Sequence, residues 1–131
     1  MVEFLKWSDD YLIGDIQIDT HHKLFFDMVK DISRFLENDS ADVNLAAIVD
    51  FLHQYVEMHF RVEEEIMMEI AYPDVDKHKD IHKGFSNQIA QLREQLESQE
   101  NTPTLDDIFT ITQNWFLQHI LTEDKQLTKY L

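Results

Sequence analysis

The chain has 131 residues, no cysteine, and 26 acidic residues against 11 basic ones, for a formal net charge of -15. That length suffices for one buried core without disulfides, and the missing thiols exclude iron–sulfur, Cys-zinc and thiol-nucleophile chemistry. The charge would repel a phosphate backbone or an anionic bilayer, so neither nucleic acid nor a membrane is an expected partner, and any metal must sit on nitrogen and oxygen ligands.

The first ten residues offer only Phe4 and Leu5 as adjacent apolar side chains, and no later run approaches the length of a bilayer span, so a cytoplasmic chain is expected. Gly14, Gly84, Pro73 and Pro103 are the only glycines and prolines in a sequence rich in helix formers, which predicts an all-α fold. Residues 1–18 show no helical period. With Trp7, Tyr11, Ile13, Ile16 and Ile18 they read as an extended N-terminal arm packed over the rest of the molecule. From an N-cap at Asp19 or Thr20, the set His22, Phe25, Val29, Ile32 and Leu36 recurs at three- and four-residue intervals until Asn38-Asp39-Ser40. A second helix carries Leu45, Ile48, Leu52, Tyr55 or Val56, His59, Glu63, Ile66 and Ile70, and Tyr72-Pro73-Asp74 stops it. A third presents His78, His82, Phe85, Ile89, Leu92 and Leu96 as one stripe. Thr102 caps and Pro103 opens the last, which has Ile108, Thr112, Trp115 and His119 on one face. Residues 19–131 are thus expected to form an antiparallel up-down-up-down four-helix bundle, making one domain of 1–131 with its arm.

Five histidines, His22, His59, His78, His82 and His119, fall on the apolar stripes. One histidine on such a face is ordinarily a core residue bonded to a backbone carbonyl, but five on the inward faces of four helices need a shared partner for their lone pairs. His59 and Glu63, like His78 and His82, are four residues apart, so each pair projects from one helical turn toward the same point. Five imidazoles with two carboxylates exceed what one zinc or iron ion takes, and suit two iron ions sharing bridging carboxylates. His21 and His53 lie off these stripes and read as surface histidines. Glu64 and Glu65 point to other helix faces and read as solvated, and Met28, Met58, Met67 and Met68 read as core fillers.

Over nearly its whole length the sequence resembles the hemerythrins. Trp7, Gly14 and Ile18-Asp19 precede His22-Lys23-Leu24-Phe25. An HFxxEExxM element runs from His59 to Met67, a Tyr72-Pro73 turn leads into His78, His82 and Phe85, and WxxxHI spans Trp115 to Ile120, with Asp124 five residues beyond His119. His21 departs from the glutamine common in the family before the first ligand. The resemblance implies that His78, His82 and His119 hold one iron and His22 and His59 the other, with Glu63, Asp124 and an oxo or hydroxo group bridging them. It also implies that the second iron keeps one open position at which dioxygen binds reversibly, for storage, delivery or sensing. A di-iron oxidase or a peroxide- or nitric-oxide-processing enzyme on the same site is the alternative. A third reading is a module that reports oxygen or redox state to a separate oxygen-consuming or signalling partner.

Two structural expectations follow. Five residues beyond His119 is about 500° of helical rotation, roughly 140° away from it, so a π-type widening or a break between Ile120 and Glu123 is needed to bring Asp124 to the metals. Trp115, Phe116 and Ile120 on one side, and Leu24 and Phe25 on the other, are expected to form an apolar oxygen pocket that keeps water from the open iron.

Overall fold

The computed structural model describes residues 7–37 and 44–131, without the side chains of 35–37. Phe4, Leu5, the Leu36 side chain and the break at Asn38-Asp39-Ser40 lie outside the described residues. Four helices follow in order: α1 (Ile16–Glu37), α2 (Leu45–Glu69), α3 (Val75–Ser98) and α4 (Leu105–Thr122). They pack as an up-down-up-down bundle, with α2 against α3 and α1 against α4 and α2. Among the described residues there is no strand, and no helix is long and apolar enough to cross a membrane.

The core lies where the 3.6-residue stripes meet. Phe25, Val29 and Ile32 of α1, Val49, Leu52, Val56 and Phe60 of α2, Phe85, Ile89 and Leu92 of α3, and Ile108, Phe109, Phe116 and Ile120 of α4 form one buried cluster. A smaller cluster of Ile13, Ile18, Met67, Tyr72 and Leu127 closes one end. In α1 and α3 the histidines of interest fall in sequence between residues of these two apolar groups, as Glu63 does in α2, while His59 and His119 are flanked by residues of the larger one. Of the expected core methionines, Met67 is buried and Met28 packs at the core edge, whereas Met58 and Met68 are 40% and 62% exposed.

Helix boundaries depart from expectation for local reasons. α1 begins before Asp19: the Asp15 carboxylate accepts from the backbone N–H groups of Gln17 (2.9 Å) and Ile18 (3.0 Å), and so fills the N-cap role. Asp19 turns back instead to accept from Ile13 N–H (2.8 Å) and Gly14 N–H (3.2 Å), tying the arm to the bundle. The turn that brings those two amides together places Gly14 at φ +106°, a conformation open to glycine. The arm is not wholly extended, since Asp9–Tyr11 forms one 3-10 turn capped by Ser8, and Ile16 and Ile18 belong to α1. Its aromatics do pack on the bundle: Trp7 meets Phe26 edge-on at 5.4 Å, and Tyr11 stacks on Phe26 at 5.2 Å. Ile16 is 86% exposed. α4 is capped by Thr104 rather than Thr102, through a capping box in which Thr104 Oγ1 accepts from Asp107 N–H (3.1 Å) and Asp107 Oδ2 accepts from Thr104 N–H (2.9 Å).

α2 ends in a Schellman motif, with Ala71 N–H donating to Met68 O (3.2 Å) and Tyr72 N–H to Met67 O (2.9 Å). The motif puts Ala71 at φ +54°, where a Cβ is unfavourable. Ala71→Gly is therefore expected to stabilise the fold by about 1 kcal/mol, read as a rise in urea midpoint with unchanged slope. A fall in midpoint would mean that the left-handed residue carries no strain.

Candidate metal centre

Each helix brings its part of the site from a buried stripe: His22 from α1, His59 and Glu63 from α2, His78 and His82 from α3, His119 from α4. None of the six, nor Asp124, is more than 3% exposed. Asp124 comes from beyond α4. The α-helix ends at Thr122 and the chain tightens into a 3-10 segment over Asp124–Lys129. The break falls in the expected interval, but as a tightening and not a π-type widening. It leaves the Asp124 carboxylate 2.9 Å from His119 Nε2 and 3.0 Å from His22 Nε2.

The ligand-capable atoms fall into two groups, each with all such atoms within 4.8 Å of one another: Glu63, His78, His82, His119 and Asp124, and His22, His59, Glu63 and Asp124. Glu63 and Asp124 are common to both. Glu63 Oε1 lies 2.6 Å from His78 Nε2 and Oε2 lies 3.1 Å from His59 Nε2, while Asp124 Oδ1 and Oδ2 divide between His119 and His22 in the same way. The nitrogens and oxygens are close without being well paired. His22 Nε2, His59 Nε2, Glu63 Oε2 and both Asp124 oxygens are buried and lack a hydrogen-bond partner of acceptable geometry. Buried polar atoms that converge and yet do not aim at one another are the arrangement that metal ions satisfy. Five imidazoles around two shared carboxylates supply the donors of a binuclear site.

Two further side chains complete the arrangement, and neither was expected. Glu64 Oε2 lies 2.8 Å from His82 Nδ1, so this residue is not simply solvated. His21 Nδ1 lies 3.2 Å from His59 Nδ1, so His21 is not a plain surface histidine. Helical period carried no signal for either, because each contact crosses between helices. His53 stays at the surface, 3.7 Å from Glu57.

The expected oxygen-pocket residues divide. Phe116 stands edge-on to His22 at 5.4 Å and stacks on Phe25 at 3.4 Å, and Ile120 is fully buried in the same cluster. Trp115 stacks instead on His119 at 4.5 Å and on Phe85 at 4.0 Å, beside the three-imidazole group and away from the open position expected at the other. Leu24 is 50% exposed and lines nothing there; two residues past His22 it has turned to the far face of α1.

Charge is distributed as the geometry requires. Burial works against protonation of His22, His78 and His119, but the carboxylates beside them outweigh it, raising His22 and His119 to about 9 and His78 to about 10. For His59 burial wins and the ring is held below its ordinary value. Burial favours neutral Glu63 and Asp124, yet the surrounding imidazoles hold both below the usual carboxylate range.

A four-helix bundle around such a cluster defines a carboxylate–histidine protein able to hold metal ions. The family model of the hemerythrin HHE cation-binding domain matches residues 14–131, and the chain belongs to the hemerythrin family, whose norm is a di-iron site that binds oxygen. It is 28% identical to a bacteriohemerythrin of Stenotrophomonas maltophilia over 121 residues, 92% of this chain and 77% of that one. It is 29% identical to myohemerythrin-1 of Phascolopsis gouldii over 118 residues, 90% of this chain and 87% of that one. Among solved structures, wild-type hemerythrin superposes with a TM-score of 0.85 at 25% identity, covering 98% of each chain.

Metal ligation requires these imidazoles to be deprotonated. Metal uptake at pH 7 by the metal-free chain should release close to three protons, from His22, His78 and His119, and affinity should fall as pH drops through 10 to 9 and below. Before metal arrives the stability effect runs the other way. The raised histidines contribute fully below their unfolded value of 6.5 and lose that contribution as pH rises through 9 to 10. Titration calorimetry in buffers of different ionisation enthalpy counts the protons; uptake without proton release would contradict this charge assignment.

Proposed function

We propose that the chain binds dioxygen reversibly at a di-iron centre. His78, His82 and His119 would hold one iron, His22 and His59 the other, with Glu63 and Asp124 shared between them. The observation that carries this reading is the sharing of both buried carboxylates between a three-imidazole and a two-imidazole group. Two irons, when bound, would supply the electrons on which reversible oxygen binding depends. The protein's own part is to fix seven ligand side chains and to keep water and protons away from the less crowded iron.

His22 and His59 would supply fewer protein ligands to an iron than the three histidines of the other group, so the His22–His59 side is the one with room for dioxygen. Phe116 and Phe25, stacked face to face beside His22, wall that side with Ile120 behind them. Apolar walls disfavour charge separation and keep water and protons from that side. Relatives in the family are oxygen binders rather than catalysts, which favours a carrier over an oxidase.

Protein reconstituted with ferrous iron should bind close to two equivalents per chain, and its deoxygenated spectrum should change on aeration and return on removal of oxygen. A stoichiometric single zinc, or aeration that cannot be reversed, would overturn the reading. Phe116→Ala should speed conversion of the oxygenated form to an inert oxidised one relative to Leu96→Ala, which removes a side chain at the far end of α3. Equal rates in the two variants would remove Phe116 from the pocket and leave the ligand assignment standing.

A further inference from the structure

We propose that His21 is a positioning residue for His59: when His59 gives its Nε2 lone pair to a metal ion, His21 Nδ1 accepts from His59 Nδ1–H and holds that ring in the tautomer and orientation that ligation needs. The inference builds on the ligand role given to His59 above. His59 Nε2 faces the cluster, 3.1 Å from Glu63 Oε2, and its Nδ1 points out of the cluster to His21 Nδ1 at 3.2 Å. Two bare imidazole nitrogens would repel at that separation, and so would two protonated ones; one must donate and the other accept. A lone pair on His59 Nε2 puts the proton on His59 Nδ1. His21 Nδ1 is then the acceptor, and the His21 proton sits on its Nε2.

The backbone prepares His21 for this task. The Tyr55 hydroxyl donates to the His21 carbonyl, so the chain segment that carries the acceptor is tied to the helix that carries the ligand. Tyr55 lies one turn before His59 and runs nearly parallel to its ring, 15° apart at 6.4 Å. The two rings joined by the Nδ1–Nδ1 contact meet edge-on, with 74° between their planes, so a nitrogen at the edge of one can address the other.

The other metal group is built differently. There His82 Nδ1 meets a carboxylate, Glu64 Oε2, at 2.8 Å. A carboxylate acceptor orients a ligating imidazole and adds negative charge; a neutral imidazole acceptor orients it alone. With His21 in this place the two-imidazole group gains a fixed tautomer without a further anion, next to two carboxylates already buried.

The direct test uses the wild-type chain loaded with zinc, a diamagnetic ion that leaves the histidine nitrogens observable. Long-range proton–nitrogen NMR at pH 8 should show His59 protonated on Nδ1 and His21 protonated on Nε2, and the opposite assignment at either ring overturns the proposal. The second test compares His21→Gln, whose amide oxygen can still accept, with His21→Leu, whose side chain cannot. With ferrous protein and an external chelator, His21→Leu should release one of its two irons about tenfold faster than wild type, while His21→Gln stays close to wild type. Circular dichroism establishes that both variants are folded. Equal release from all three proteins, or equal acceleration in both variants, overturns the proposal. A wild-type chain that takes up no stoichiometric iron would sink the di-iron reading and leave the tautomer result to be judged by itself.

Discussion

Glu63 and Asp124 have no exposure to solvent, and they stand side by side in the middle of a helical bundle. Two uncompensated carboxylates there would cost far more than the few kcal/mol by which domains of this size are stable. Everything around them answers that cost. Five imidazoles converge on the pair, three of them drawn to the protonated state while no metal competes. The apolar layers on either side then exclude the water that would otherwise screen the charges. A cation could take the place of those protons, so the demand that makes the metal-free site expensive is also what fits the group to hold metal.

Helical period made most of this legible from the residues alone, because a ligand aimed at the bundle centre must occupy the same stripe as the core. His22, His59, Glu63, His78, His82 and His119 announce themselves as polar residues at apolar positions. Asp124 does not, since it follows the end of α4, and only the family resemblance pointed to it. Boundaries were misplaced where two suitable caps compete: Asp15 over Asp19, and Thr104 over Thr102, each chosen by hydrogen bonds that depend on the path of the preceding chain. His21 and Glu64 were unreadable for another reason. Their roles rest on how far one helix slides along its neighbour, and no sequence period encodes that. Leu24 was misplaced against the period itself, two residues from His22 and so on the far face of α1, whereas Trp115 does reach a ligand, His119, but on the three-imidazole side.

The two halves of the cluster differ in more than imidazole count. On the three-imidazole side, Phe60 lies flat on His82 at 3.8 Å and Trp115 flat on His119, so aromatic faces clamp the rings. On the two-imidazole side, Phe116 and His22 meet at right angles, 5.4 Å between ring centroids, and do not stack. The two metal-ligand groups therefore sit in unlike aromatic surroundings. The asymmetry is written into neighbouring side chains of the same helices, one step apart in sequence at Trp115 and Phe116.

The short 3-10 segment beyond α4 has a further consequence. It carries Asp124, buries Leu127 against Ile13 and Ile18, and sends Lys125 Nζ to the Leu12 carbonyl at 3.0 Å, so the last residues of the chain are fastened to the first ones described. A cation bound by both His22 and Asp124 therefore closes a ring through almost the entire polypeptide. In a chain without a single cysteine it acts as the covalent cross-link the sequence lacks: the longer the loop a clip closes, the more of the unfolded chain's freedom it removes.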